Sequence, residues 1–155
     1  MTYRMIEAGD EQEVFSLVER GFSEFVRSDC TEEGINEFMR ATRVMVFDRP
    51  PHHFIMVAES RGRIVGMIDV KEDTHICLLF VDSLYQNKAI GRHLLERAVA
   101  LCRERKPDLS EIDVHSSLWA VPVYRRLGFE QTKAEQGSNG IRFVEMVKKL
   151  TPPGR

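Results

Sequence analysis

Leu78-Leu79-Phe80-Val81-Asp82-Ser83-Leu84-Tyr85-Gln86-Asn87-Lys88-Ala89-Ile90-Gly91-Arg92 is the stretch on which the reading of the fold turns. An apolar strand ends at Val81 and a polar turn follows. The small residues Ala89 and Gly91 then open a long helix that runs to about Arg105. The first amides of a helix have no internal partners, and the positive end of the helix dipole stands behind them. Small side chains let a ligand come close to that backbone, and Lys88 and Arg92 add positive charge beside it. This geometry suits phosphate oxygens. There is no Gly-x-x-x-x-Gly-Lys run, so a nucleoside-triphosphate loop is not indicated. The same features also serve an ordinary strand-to-helix turn, so the flanking sequence has to decide.

Downstream, Pro107 lies beyond the helix and Ile112 to His115 reads as a strand. Strand, helix and strand over residues 75 to 115 imply one parallel crossover. Upstream, Phe54 to Glu59, Arg63 to Val70 and His75 to Val81 form an antiparallel meander, linked by Ser60-Arg61-Gly62 and Lys71-Glu72-Asp73-Thr74. Tyr3 to Glu7 starts a strand. A helix follows Asp10, with Val14, Leu17, Val18, Phe22, Phe25 and Val26 at helical spacing. Gly21 weakens it by about 1 kcal/mol relative to alanine. Thr31 caps a second helix with Ile35, Phe38, Met39, Thr42, Met45 and Val46 on one stripe, and Pro50 stops it. Ala120 to Leu127 is a helix ended by Gly128. Phe129 to Glu135 and Ile141 to Val147 close the chain as a hairpin over Gly137-Ser138-Asn139-Gly140. The order β-α-α-β-β-β-α-β-α-β-β describes an α/β fold (α+β in its mixed sheet). The sheet is mostly antiparallel, with six to seven strands and about four helices. Residues 1–150 read as one domain and residues 151–155 as a flexible tail.

The 155 residues are long enough to bury a core, and 43% of them are hydrophobic against 30% charged. With 22 basic and 24 acidic side chains the net charge is −2, which argues against nucleic acid as the main partner. No apolar run approaches a membrane span, and no signal-peptide core follows Met1. The three cysteines, Cys30, Cys77 and Cys102, are far apart and form no Cys-x-x-Cys pair. That argues against a disulfide framework or a structural zinc site and makes a reducing cytoplasm the default compartment. His52-His53 has no companion ligand at a known metal spacing and reads as an exposed loop pair, so no metal is expected.

The segment Val114-His115-Ser116-Ser117-Leu118-Trp119-Ala120-Val121-Pro122-Val123-Tyr124-Arg125-Arg126-Leu127-Gly128-Phe129 adds the second half of the argument. Together the two segments resemble the GNAT superfamily of acyl-CoA-dependent N-acetyltransferases. That family's cofactor loop, Arg/Gln-x-x-Gly-x-Gly/Ala, is matched by Gln86, Ala89 and Gly91. Its later segment is matched by Ala120, Tyr124, Leu127, Gly128 and Phe129. The element order agrees along nearly the whole chain. Ala89 stands where the family usually has glycine, His115 where an asparagine often contacts the pantetheine arm, and Val123 where an aromatic usually precedes the tyrosine. If position 89 needs positive φ, alanine there costs on the order of 1–2 kcal/mol. If glycine serves only for close approach, the methyl crowds the ligand instead.

The resemblance implies transfer of an acetyl group from acetyl-CoA to a primary amine by direct attack, without a covalent enzyme intermediate. It assigns acetyl-CoA as cosubstrate to Phe80, Val81, Gln86, Asn87, Lys88, Ala89, Ile90, Gly91, Arg92, His115 and Tyr124. Phe80 and Val81 would act through their backbone, in a gap between the strands around residues 78–81 and 112–115. Tyr124 would be the general acid that protonates the departing thiolate. The base is left open among His75, Asp69, Asp82 and His115. Cys77, in mid-strand, is a packing residue rather than a nucleophile. Trp119 and Phe129 read as core or cofactor-wall residues. The acceptor, set by the first two helices and the loop Arg27 to Glu33, is open among a small amine, an amino acid, a polyamine and a peptide lysine. A noncatalytic acyl-CoA-binding or sensor domain on the same fold is the alternative, and an interaction module that has lost the cofactor is a third. The edge of the closing hairpin offers a place for a second copy and a homodimer.

Overall fold

The computed structural model describes residues 1–152, so of the expected tail 153–155 lie outside the described residues. The strands are β1 (Thr2–Met5), β2 (His53–Ser60), β3 (Arg63–Lys71), β4 (His75–Val81), β5 (Glu111–Ser116), β6 (Glu130–Gln131), β7 (Gln136–Ser138) and β8 (Ile141–Lys149). The helices are α1 (Glu11–Phe25), α2 (Glu32–Arg43), α3 (Ile90–Arg105) and α4 (Val121–Arg126). The sheet order is β1-β2-β3-β4-β5-β8-β6, with β7 also paired to β8. Every pairing is antiparallel except β4 with β5, the crossover expected around α3.

Alternation along the strands sorts the core into two layers. On one face, Phe54, Met56 and Ala58 of β2 join Ile68, Ile112, Val114 and Met146 beneath Leu94, Leu95, Ala98 and Cys102 of α3 and Leu127 beyond α4. On the other, Ile55 and Val57 of β2 join Ile64, Met67 and Leu78 beneath Val14, Phe15, Leu17 and Val18 of α1. Helices α1 and α2 shelter only the β2–β4 side of that second face. Beyond it, β5 and β8 present Asp113, His115, Phe143 and Glu145, so the boundary between covered and uncovered sheet falls at the β4–β5 junction.

The structure departs from the sequence reading in a few places. The sheet has eight strands rather than six or seven, because the first arm of the closing hairpin is broken into β6 and β7. The free edge expected to receive a second copy is therefore short and interrupted, which blunts strand pairing. The second helix is not continuous to Pro50: α2 ends at Arg43 and a π-helical turn, Val44–Asp48, follows, closed by Arg49 at φ 43°. That turn keeps Val46 fully buried. Asp10 sits at the α1 N-cap, but its carboxylate accepts from Arg4 and from the Glu7 amide instead of capping the helix. His53 is no loop residue; it opens β2. No helix among the described residues is long and apolar enough to cross a membrane.

Thr31 does cap α2, its hydroxyl accepting from the Gly34 amide at 3.1 Å. The same turn of α2 rests on the hairpin loop Asn139-Gly140. Both of those residues have positive φ, 53° and 80°, as a two-residue hairpin requires. The Thr31 amide donates to the Gly140 carbonyl at 3.0 Å, and a Cβ on Gly34 would collide with that carbonyl. Helix propensity alone favours Gly34→Ala by about 1 kcal/mol. The contact predicts the opposite sign, a loss of about 1–3 kcal/mol from overpacking. Urea unfolding of the variant decides between them, and a gain in stability would show that α2 does not sit on the hairpin.

Candidate active site

Strands β4 and β5 pair only at His75 with Asp113 and Ile76 with Val114. Past that point they diverge. On its other side β4 stays paired to β3, Phe80 opposite Met67 and Val81 opposite Gly66. The Asp82 amide donates to the Val65 carbonyl, which makes Val81–Gly66 a non-hydrogen-bonded pair of the antiparallel ladder. By the alternation of such a ladder, Phe80 spends its amide and carbonyl on β3, while Leu79 and Val81 turn theirs toward β5 and find no strand there. The Val81 carbonyl accepts from the Gln86 side-chain amide at 2.9 Å. The Val81 amide and both groups of Leu79 face a cavity of about 460 Å³ that fills the gap. The backbone role expected of Phe80 thus falls to Leu79, a residue that spacing alone does not single out without the register. Phe80 meets the cavity with its ring. That ring occupies the space a Cβ on Gly21 would need, 2.5 Å away, which explains the glycine within α1.

The loop from β4 to α3 ends the cavity on one side. Asp82 accepts from the Leu84 amide and starts a single 3-10 turn, Ser83–Tyr85. Asn87 (φ 64°) and Ala89 (φ 61°) are both left-handed. Asparagine tolerates this region; alanine pays for it. Of the two explanations left open for position 89, positive φ is the one observed. Gly91 is different, since it lies inside α3. A Cβ on it would meet only Val81, at an ordinary 3.9 Å. Protein packing therefore does not require glycine there. Gln86, Asn87, Ala89, Ile90, Gly91 and Arg92 all line the cavity. Lys88 is not among the lining residues; its ammonium lies 5.9 Å from the Tyr85 ring centroid, toward a separate depression shared with Tyr3 and His93.

Tyr124 of α4 reaches the cavity from the opposite wall and is only 6% exposed. Burial raises its phenol well above the ordinary value near 10, so it stays protonated at neutral pH. His115 also lines the cavity, stacked on Phe143 and edge-on to His75 at 4.9 Å. Burial first, and then His75, lower its pKa below 6.5. His75 itself holds Asp113 at 3.0 Å and is not in the lining. Asp82 serves its loop, as described. Asp69 is fully buried, with one carboxylate oxygen 2.9 Å from His53 Nδ1 and the other without a partner. Burial raises its pKa, against the opposing pull of His53. Cys77 lines the cavity, and burial pushes its thiol up to about 12, which keeps it neutral. Of the two alternatives given for Trp119 and Phe129, Phe129 is core, whereas Trp119 is 45% exposed, stacked on Phe25 and part of the cavity wall.

Two groups that sequence spacing does not reveal are brought together by the sheet: His53 with Asp69 and Cys77, and His75 with Asp113 and His115. The donor atoms within each lie within 4.8 Å of one another. In both, a histidine–carboxylate hydrogen bond makes the closest contact.

The family model for the acetyltransferase (GNAT) domain matches residues 26–150, and the chain belongs to that family. A GCN5-related N-acetyltransferase from Rhodopseudomonas palustris superposes with a TM-score of 0.81 at 19% identity, covering 96% of this chain and 95% of that one. The PaiA N-acetyltransferase of Thermoplasma acidophilum, in complex with coenzyme A, superposes with a TM-score of 0.76 at 17% identity, over 97% of this chain and all of that one. In sequence the chain is 29% identical, over 93 residues, to the uncharacterized protein YxbD of Bacillus subtilis (strain 168), covering 59% of this chain and 55% of that protein. The chain spans about half the length of the curated relatives it matches.

Replacing Ala89 by glycine removes a left-handed alanine, worth on the order of 1–2 kcal/mol, at the expense of about 0.4–1 kcal/mol of unfolded-chain entropy. The variant is therefore expected to unfold at higher urea, by about 0.5–1 kcal/mol, with acetyl-CoA affinity unchanged within error. Lower stability would mean that residue 89 is not left-handed in solution, and tighter binding would mean that the methyl crowds the ligand.

Proposed function

We propose that this chain transfers an acetyl group from acetyl-CoA to a primary amine by direct attack on the thioester. One observation carries the reading: the unpaired edge of β4 and the open amide end of α3 face the same cavity, with Tyr124 and His115 on its walls. The coenzyme A held by the T. acidophilum neighbour supports the choice of an acyl-CoA as cosubstrate. Bound acetyl-CoA supplies an activated acyl carbon and a thiolate leaving group.

The remaining chemistry belongs to the chain. Amides at the start of α3, with Gly91 leaving room beside them, take the phosphate oxygens, and Arg92 adds charge. Leu79 and Val81 offer main-chain groups to the pantetheine arm as a strand would. The Val81 amide is the donor available to the thioester carbonyl, where negative charge develops as the amine adds. His115, whose pKa is lowered by partial burial and by His75, accepts the proton that the ammonium must lose before it attacks. As the N–C bond forms and the C–S bond breaks, Tyr124 hands its proton to the departing sulfur and recovers one from solvent. Burial makes the phenol a weaker acid, but the same dry site raises the proton affinity of the thiolate, so donor and acceptor stay matched.

Calorimetric titration with acetyl-CoA is expected to show micromolar binding, about −8 kcal/mol. Tyr124→Phe is expected to leave that affinity intact and to lower kcat about 100-fold, the low end for a general acid. Full activity in the variant would remove Tyr124 from the mechanism. Binding without transfer to any of a broad panel of amines would leave the noncatalytic acyl-CoA-binding domain as the better reading. No binding at millimolar acetyl-CoA would end both.

The pH profile tests His115. The neutral imidazole is the active form, so kcat should fall as pH drops through a pKa below 6.5. His115→Gln should lose that acid limb. An unchanged limb in the variant would assign the base elsewhere.

A further inference from the structure

We infer that the acceptor is a primary amine carried on a flat aromatic or apolar body, and not a polycation; the inference rests on the acetyltransferase reading above. Away from α3, the cavity wall is built from Phe25, Phe38, Phe80, His115, Trp119 and Phe143. Four of these rings form two parallel stacks. Phe25 lies on Trp119 with centroids 4.0 Å apart and planes 21° apart, and His115 lies on Phe143 at 4.6 Å and 22°. Phe38 meets Phe80 edge-on at 6.4 Å. Trp119 keeps 45% of its surface exposed although its indole is among the largest apolar groups in the chain. An exposed indole at the wall of a cavity, already stacked on one face, is a platform for another flat apolar group.

The charges of the wall point the same way. Among the described residues, no aspartate or glutamate lines the cavity, whereas Arg92, Arg126 and Arg142 do. The acidic residues of the α1–α2 region, the ones suited to a polyamine, are turned elsewhere. Asp29 lies 3.8 Å from Arg142, and Glu32 and Glu33 border a different depression with Glu37 and Arg40. A reacting ammonium loses its charge before attack. The further ammonium groups of a polyamine or aminoglycoside would keep theirs, with no carboxylate in the lining to receive them, since Glu135 and Asp29 are paired to Arg142 and Glu145 to Lys133 and His115, and unpaired charge is costly to desolvate. An arylalkylamine brings one ammonium, which His115 can relieve, and a ring that fits the stacks.

Trp119 is the single tryptophan of the chain, so its emission reports directly on this wall. The experiment titrates CoA-saturated protein with phenethylamine, spermidine, kanamycin and a lysine peptide while following indole emission. Initial rates with acetyl-CoA are measured on the same four amines. Phenethylamine is expected to change the emission saturably and to give kcat/KM at least about tenfold above the other three. Trp119→Ala should raise KM for phenethylamine about tenfold, and Trp119→Phe, which keeps a flat ring, should restore it. Equal or better turnover of spermidine, kanamycin or the peptide overturns the inference and leaves the acetyltransferase reading standing. Acetyl-CoA binding with no amine acetylated overturns the reading beneath it, and the inference falls with it.

Discussion

Two parallel strands that stop bonding after Ile76 and Val114 create everything that follows at the centre of this molecule. A backbone amide or carbonyl that faces a dry gap without a partner is expensive. Here the edge of β4 beyond that point, tethered to β3 on one side, is left without a strand on the other. Gln86 relieves the Val81 carbonyl, and the groups that remain are set in the spacing of a strand. The gap persists because each wall is anchored independently: β4 by the meander and α1, β5 by its long ladder with β8. A site of this kind needs no mobile part to form. It is the default consequence of a parallel crossover whose two strands are held by different halves of the sheet.

The loop that closes one end of the gap shows how strain and function coincide. A left-handed alanine at position 89 survives because Asn87, the Asp82 turn and the Gln86 hydrogen bond fix the chain before it, and α3 holds it from the other side, the His93 amide donating to the Ala89 carbonyl. The strain lies in the loop that aims the first amides of α3 into the cavity, which is where unfavourable backbone is commonly tolerated. Gly91 carries no such strain. Two small residues that look equivalent in sequence therefore sit in different backbone, one left-handed and bending the chain, the other inside the helix with room left beside it.

Most of the architecture was legible in the sequence because periodicity and turn residues speak locally. Val14 to Val26 repeats at helical spacing and Phe54 to Val81 alternates, and these elements stand where their patterns placed them; the closing turn, read over Gly137-Ser138-Asn139-Gly140, narrows to Asn139-Gly140 because Gly137 and Ser138 belong to β7. What was not legible depended on register. Phe80 and Leu79 are adjacent apolar residues, and only the pairing of Val81 with Gly66 tells which of them turns its amide into the gap. His53 looked like a loop residue beside His52 until β3 brought Asp69 against it from sixteen positions away. Trp119 read as either core or cavity wall, and nothing local reveals that its neighbour across the gap is Phe25. The break between β6 and β7 was likewise invisible to a pattern of apolar residues.

The seat of α2 on the Asn139-Gly140 turn has a bearing on how the chain comes to its final form. The contact joins residues 109 positions apart, and helix α2 covers one side of the cavity's aromatic wall. Closing so long a loop is costly in entropy and comes late unless something else has already brought the ends near. The meander, α3 and the β5–β8 ladder must do so. Phe38 is also stacked on Phe22 at 4.1 Å, so one side of the wall it belongs to rests on a contact local in sequence and the other on the seat that residue 140 provides, and a chain still lacking residue 140 holds α2 by α1 alone.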